Sequence, residues 1–586
     1  MGHFLHLGWG DGGNESLARE IIDQARTQGF AEAEAHDVAW LGVRGPRPPS
    51  VQFPGASDLL VLGDLFPAFG TTASPLLAKG SDEARALELT TARWGRYIGL
   101  LRTPRQQVRQ IIRDPSGAYE CIAWRKDGVQ IVASSLPDWL VSLAAPTLAL
   151  DWSRIGGILA DPLNATADTA LIGLVAATPG DMTELDASRV TPLWRPLQFI
   201  GSGTRDPQEA AAGLRERIDG CLACFSGALV FPGAEVSGGL DSAIVASALA
   251  ASGAEGLLWL NFFGPHDEAD ERLYASAIGD RLGFQPTFVQ RVITPMTIGG
   301  FWETAGGARP GLNGRDYAFD QAVAQAAAGA GVDSLLTGKG GDGVFFQMGV
   351  ADIFADVLKE RGLHALAGPT LPNLARWTRR SIWSVLDTGL KGLRPAPLDR
   401  SARALSIFNP ESVSRPKGDA ALHPWIRDLE TVSPAKRLQV ESVAAGLAYQ
   451  TQCRRTEVAD LIHPLLAQPV VEYCLGLPIG LMTGDGRGDR QVARAAFADR
   501  LPPQILTRRS KGELTAYFGR QAAASLPFLR DHLLGGRLAE KGLIDKDRTE
   551  ALLNADRLMW KGGVPDFTLA SVTESWIQRW ESRGAA

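Results

Sequence analysis

Residues 235–242 read Glu235-Val236-Ser237-Gly238-Gly239-Leu240-Asp241-Ser242. The stretch closes a strand candidate, Leu229 to Val236, and opens a helix rich in Ala, Ile and Val, Ser242 to Ala251. A strand, a Gly-rich turn and a helix in direct succession gather free backbone N–H groups and the positive end of the helix dipole at one point. Two glycines let the backbone pass close to a bulky anion there, and Ser237 and Ser242 add hydroxyl donors. Asp241 repels phosphate on its own, and fits such a cradle if a divalent cation bridges it to the phosphates. No Gly-Lys-Ser/Thr follows, so the stretch is not a P-loop signature. The plain alternative is a Gly-rich turn with Asp241 as a helix N-cap.

Downstream, strands and helices alternate, which predicts a parallel α/β sheet. Gly256 to Phe263 is the second strand, and Asp270 to Leu282 a helix with Leu273, Ala277, Ile278 and Leu282 on one face. Tyr317 to Ala328 is an Ala-rich helix, and Val332 to Thr337 the third strand. Upstream, Pro207 opens a helix to about Phe225, after a linker at 201–206. The first 200 residues read as β-rich. Runs 96–101, 119–124 and 129–133 are strand-like, and the turns Asp114-Pro115-Ser116-Gly117 and Lys126-Asp127-Gly128 between them suggest an antiparallel sheet. Residues 365–410 form a basic, Pro-interrupted excursion (Arg376, Arg379, Arg380, Lys391, Arg394, Arg400, Arg403), and the rest is mostly helical with no internal repeat.

The hydrophobic fraction is 45% and the charged fraction 21% of 586 residues, ordinary for a globular protein. The net charge of -6 lacks the basic excess of proteins that live on nucleic acid. Five cysteines form no disulfide framework, and the single Cys221-Cys224 pair has no zinc-ribbon companion. The N-terminus has no basic region or cleavage site, and no apolar run reaches the ~18 residues of a membrane helix. These features predict a reduced, cytoplasmic protein without a membrane span.

Ser-Gly-Gly-Leu-Asp-Ser at 237–242 resembles the pyrophosphate loop of the N-type ATP pyrophosphatases, which cleave ATP between the α and β phosphates. Leu336-Thr337-Gly338-Lys339-Gly340-Gly341-Asp342-Gly343 resembles the second magnesium and pyrophosphate loop of asparagine synthetases. Arg490-Gln491-Val492-Ala493-Arg494, followed by Arg508-Arg509-Ser510-Lys511, resembles the C-terminal basic stretch of asparagine and β-lactam synthetases. Asp270-Glu271, Pro464 and Val471-Glu472-Tyr473 fit the same pattern. The likeness is good over 205–520 and weak over 1–200. It implies two domains: a class II glutamine amidotransferase-like α+β sandwich at 1–200, and an asparagine synthetase-like ATP pyrophosphatase domain at 205–586 with a parallel sheet and a helical C-terminal part. It also implies ATP and Mg²⁺. ATP contacts are expected from Ser237, Gly238, Gly239, Asp241, Ser242, Leu260, Asn261, Gly338 and Gly340, metal contacts from Asp241 and Asp342, and catalytic roles for Lys339, Arg490 and Lys511.

Two departures narrow the expectation. Glutamine-using members carry a nucleophilic Cys directly after the initiator methionine, and this chain has Gly2, so its N-terminal domain is expected to be inactive. Lys339 stands where asparagine synthetases carry a glutamate and β-lactam synthetases a tyrosine; the charge of Asp342 and the phosphates is expected to keep it protonated. Strict spacing puts Ser510 at the reaction-centre lysine, with Lys511 one residue on. Without ammonia the nucleophile comes from the substrate itself. The architecture is most similar to lasso peptide cyclases, which adenylate an Asp or Glu side chain of a precursor peptide and close a macrolactam on it. Those act with a leader peptidase and a leader-recognition protein. A small-molecule amide synthetase, a glutamine-hydrolysing asparagine synthetase and a tRNA-modifying pyrophosphatase are the alternatives. Glu441, Glu457 and Asp460 are candidates for the general base by position.

Overall fold

The computed structural model describes residues 2–10, 12–55, 57–71, 76, 80–146, 148–167, 169–187, 189–254, 258–264, 270–394, 407–413, 423–508, 515–560 and 564–584. The N-terminal part is built on two antiparallel six-stranded sheets. The first runs Val175–Ala176, Ile122–Lys126, Val129–Ala133, His3–Gly8, Ala39–Arg44, Ala31–His36; the second runs Val190–Pro192, Asp181–Glu184, Val108–Arg113, Arg93–Arg102, Leu59–Pro67, Val51–Gln52. Period-2 alternation sends Phe4, Leu41, Ala123 and Val132 of one sheet and Leu60, Leu62, Ile98 and Leu100 of the other into a shared core. The outer faces are closed by helices. Asp82–Ala92 lays Ala86 and Leu89 on Leu59, Val61 and Leu101 of the second sheet. Glu15–Thr27 and the C-terminal helices cover the first. The strand expected at 119–124 begins only at Ile122. Residues 114–121 are drawn into a loop in which Asp114 accepts from the Tyr97 and Ser116 backbone N–H groups at 3.1 and 2.8 Å.

The C-terminal part holds a five-stranded sheet in the order Thr287–Gln290, Leu258–Phe263, Pro232–Glu235, Ser334–Leu336, Asp460–Ile462. All four pairings are parallel, as the alternation of strands and helices predicts. Helices Pro207–Ser226 and Leu240–Ala251 pack on one face with Ala234, Trp259, Leu336 and Ile462. Tyr317–Ala330 packs on the other through Val323 and Ala327 against Leu258, Leu260, Leu335 and Leu461. Helix Pro207–Ser226 follows the expected linker and is N-capped by Asp206. The first strand is shorter than expected: Val230 and Phe231 are exposed, and pairing starts at Pro232, where Ser334 comes alongside. Leu273 is also a correction. It is 80% exposed, because helix Arg272–Leu282 turns Ala275, Ile278 and Gly279 inward instead.

The two parts are joined by buried charge and buried aromatics. Asp460, at the start of the last parallel strand, accepts from Arg96 at 2.7 Å and Arg47 at 3.2 Å, and both arginines also grip Asp64. The last helix, Val564–Ser582, buries Trp576 and Trp580 completely in a core shared with Leu5, Ile131 and Ile155 of the N-terminal part, and both indole N–H groups donate to the Gly307 carbonyl at 2.9 and 3.0 Å. Burial of a side chain of that size stabilises by about 2–3 kcal/mol. Among the described residues no helix is long and apolar enough to cross a membrane.

Candidate functional site

The strand order reverses between Pro232–Glu235 and its two neighbours: the chain goes first to Leu258–Phe263 on one side, then to Ser334–Leu336 on the other. Ligands of open parallel sheets bind at the carboxyl ends of strands around such a switch point. Both Gly-rich loops lie there. The first leaves its strand at Glu235 and enters helix Leu240–Ala251 through Gly239. Gly238 has φ +75°, which suits glycine. Ser237 and Ser242 hydroxyls lie 3.0 Å apart, and the Ser237 N–H donates to the Ser242 hydroxyl at 3.1 Å, which fixes the cradle before any anion arrives. The second loop lies directly on the first. A Cβ at Gly338 would sit 2.5 Å from the Ser242 backbone nitrogen, so only glycine permits this approach.

The loops bring Asp241 and Asp342 to one cation. Arg490 Nη1 is 2.9 Å from Asp241 Oδ2 and 3.4 Å from Asp342 Oδ1, and its Nη2 is 3.2 Å from Asp489 Oδ2. Arg490 adopts φ +50° at the head of helix Gln491–Ala496, a left-handed conformation that aims the guanidinium back at the loops. Asp241 is buried, whereas the Asp342 side chain is 55% exposed to the cavity. Arg508 closes the flank: it pairs with Glu271 at 2.6 Å and donates to the Gly238 carbonyl at 3.0 Å.

Behind the loops lies a cavity of about 420 Å³. Its floor is an ion network absent from the sequence reading. Arg455 bonds Glu235 at 2.9 Å and also engages Asp320. Lys339 sits next to it, with Nζ 4.8 Å from the centre of the Tyr449 ring. Its backbone N–H donates to Thr337 Oγ1, which lies 2.7 Å from His463 Nδ1. Burial, and then the Arg455 charge, pull the amine below the usual lysine value, against the opposing pull of Glu235 and Asp320.

Of the expected residues, Ser237, Gly239, Asp241, Ser242, Gly338, Lys339, Gly340 and Asp342 line this cavity. Leu260 and Asn261 are fully buried beneath it, and Asn261 donates to the Val236 carbonyl at 2.7 Å, pinning the root of the first loop. Ser510 and Lys511 lie outside the described residues. None of the three base candidates lines the cavity. Asp460 belongs to the inter-domain network: burial alone would raise its carboxyl, but Arg96 outweighs it and keeps it below the usual range. Glu457 pairs at the surface with Arg454 at 3.0 Å. Glu235, Arg291, Arg315, Asp320 and Arg455 line the cavity without having been singled out. Glu235 alone carried a signal, since it precedes the Ser-Gly-Gly turn on the strand.

The sequence model of the asparagine synthase family matches residues 213–578, which includes both loops, the Arg490 helix and the Arg508 flank. The chain belongs to the asparagine synthase family. That membership places it among proteins of ATP-dependent amide bond formation, in the class of C–N ligases. No curated protein matches the chain.

Proposed function

We propose that the protein is an AMP-forming macrolactam synthetase of the lasso peptide cyclase type. It adenylates an Asp or Glu side-chain carboxylate of a precursor peptide and lets the peptide's own N-terminal amine attack it. The observation that carries this reading is steric. A Cβ at Gly2 would lie 2.5 Å from the Arg47 carbonyl oxygen and 2.7 Å from Pro49 Cδ, so the place of a nucleophilic cysteine is filled by backbone. Cys121, which lies between the two sheets, is fully buried and its thiol is pushed up by that burial. The N-terminal sandwich, residues 1–200, then serves as an inactive glutaminase-like domain that braces the synthetase domain, 205–586, through Asp460 and Trp576. With no ammonia supplied, the amine comes from the substrate.

The residues present fit a magnesium ion. Two carboxylates, Asp241 and Asp342, converge on a position that a cationic nitrogen of Arg490 now shares. Among the described residues no group of three or more His, Cys, Asp and Glu side chains is arranged to hold a metal, so the ion would be shared with the phosphates of ATP. When bound, it supplies charge neutralisation at the β and γ phosphates. The chain's own part is as follows. The N–H groups at the head of helix Leu240–Ala251 and the Ser237 and Ser242 hydroxyls hold the pyrophosphate. A carboxylate oxygen of the peptide attacks the α-phosphorus, the bond to the bridging oxygen breaks, and pyrophosphate leaves towards Arg490. Lys339 faces the acyl-adenylate oxygens, where its ammonium form stabilises developing negative charge. The amine nitrogen then attacks the acyl carbon, loses a proton, and AMP departs with the electron pair of the broken C–O bond. The cavity holds the peptide so that the two ends meet.

The test is ATP–pyrophosphate exchange with a synthetic linear peptide that begins with Gly and carries Asp or Glu seven or eight places on. Exchange that depends on the peptide, and a product lighter by one water, support the reading. Exchange driven by a small β-amino acid or by tRNA, but not by the peptide, overturns it.

A further inference from the structure

The cations around the cavity fall into two groups. Arg455 is neutralised by Glu235 and Asp320, Arg490 by Asp241 and Asp342, and Arg508 by Glu271, while Arg291 Nε lies 3.4 Å from Asp316 Oδ2. Lys339 and Arg315 differ. Among the described residues neither charged group has a carboxylate or other acceptor within hydrogen-bonding distance; each rests on a ring, Lys339 on Tyr449 and Arg315 on Phe518 at 3.3 Å. Lys339 belongs to the phosphate loop and its role is accounted for above. Arg315 does not. It comes from the short 3-10 helix Leu312–Asp316 and is half-buried in the cavity lining.

The charge that offsets the burial of Arg315 comes from Asp316, which is shared with Arg291 and also accepts from the Tyr517 hydroxyl at 3.2 Å; two guanidinia on one carboxylate leave an excess of positive charge withdrawn from water, which a ligand carboxylate would meet. The Arg315 guanidinium carbon lies 3.3 Å from the Phe518 ring centre, and among the described residues no hydrogen bond is made by its N–H edge. That edge matches a planar carboxylate in a bidentate pair. We propose that Arg315 is the docking group for a carboxylate of the acyl substrate. This rests on reading the cavity as a carboxylate-activating site. It adds a specificity determinant at the acyl end, separate from the cations that face the phosphates.

The experiment compares two probes by ligand-observed NMR on the whole protein: N-acetyl-L-aspartic acid α-methylamide, which carries one side-chain carboxylate, and its asparagine counterpart. The wild type should bind the carboxylate probe about tenfold or more tightly than the amide, the scale of one charge-assisted bidentate pair. Arg315→Met should bring the two together, and Arg315→Lys should keep part of the preference, with thermal unfolding unchanged in both. If Arg315→Met fails to fold, Arg315→Lys and Arg315→Gln carry the comparison. A wild type that ignores the carboxylate, an undiminished preference in the variants, or a loss of pyrophosphate binding in place of carboxylate binding overturns the proposal. Failure of the macrolactam reading is visible separately, as an intact carboxylate preference without peptide-dependent exchange.

Discussion

Arg490 Nη1 lies 2.9 Å from Asp241 Oδ2, across 249 residues of sequence. This pair makes the two aspartates unequal. Asp241 is buried and tied to a buried guanidinium, while Asp342 opens into the cavity. Asp241→Asn and Asp342→Asn are both expected to abolish pyrophosphate release. Only the first should also lower stability, by about 1–3 kcal/mol, since it weakens a charge-assisted bond to a buried partner. Denaturant unfolding of both variants beside the exchange assay checks this; equal stability losses would contradict the placement of Asp342.

Lys339→Met should slow adenylation about 10²-fold, the scale for losing one preorganised donor. Lys339→Arg should retain part of the rate. Burial and Arg455 lower the amine's proton affinity in the free enzyme, so its protonated fraction falls as pH rises through a value below that of an ordinary lysine. The pH profile of kcat/KM should therefore show a basic limb that Lys339→Arg shifts upward. A limb unmoved by Lys339→Arg would assign it to another group.

His6 offers a stability test with a defined sign. Its ring is fully buried and its pKa is lowered to about 3, chiefly by burial and then by Arg102. The unfolded chain binds a proton near the ordinary value while the folded chain does not. Stability is therefore fully present above about pH 6.5 and is lost as pH falls from there towards 3. His6→Leu should flatten this acid limb in thermal unfolding between pH 7 and pH 4, and an unchanged slope would count against the assignment.

Gly2→Cys should not create glutamine hydrolysis. The added side chain meets Arg47 and Pro49 backbone, so the variant should lose about 1–3 kcal/mol of stability, the usual scale of overpacking. Added glutamine or ammonia should leave turnover of the wild type unchanged. Glutamate release from either protein would overturn the reading of the N-terminal sandwich.

The parts of the fold legible in the sequence are those set by near neighbours. Ser237 to Ser242 reads as a strand–turn–helix anion cradle because glycine freedom, an open helix end and the apolar run after it act within one turn of chain. The parallel sheet follows from strands and helices in alternation, and Pro207 marks its helix start without help from elsewhere. Partner choice is of another kind. That Arg490 meets Asp241, that Arg455 meets Glu235 and Asp320, and that Asp460 is consumed by Arg96 were decided between residues 135 to 364 positions apart. The lowered proton affinity of Lys339 and the stacking of Arg315 on Phe518 belong to the same class. Charge and polarity are written in the residue, but the water a side chain loses and the counter-ion it gains depend on what the folded chain packs around it, and those are properties of tertiary structure alone.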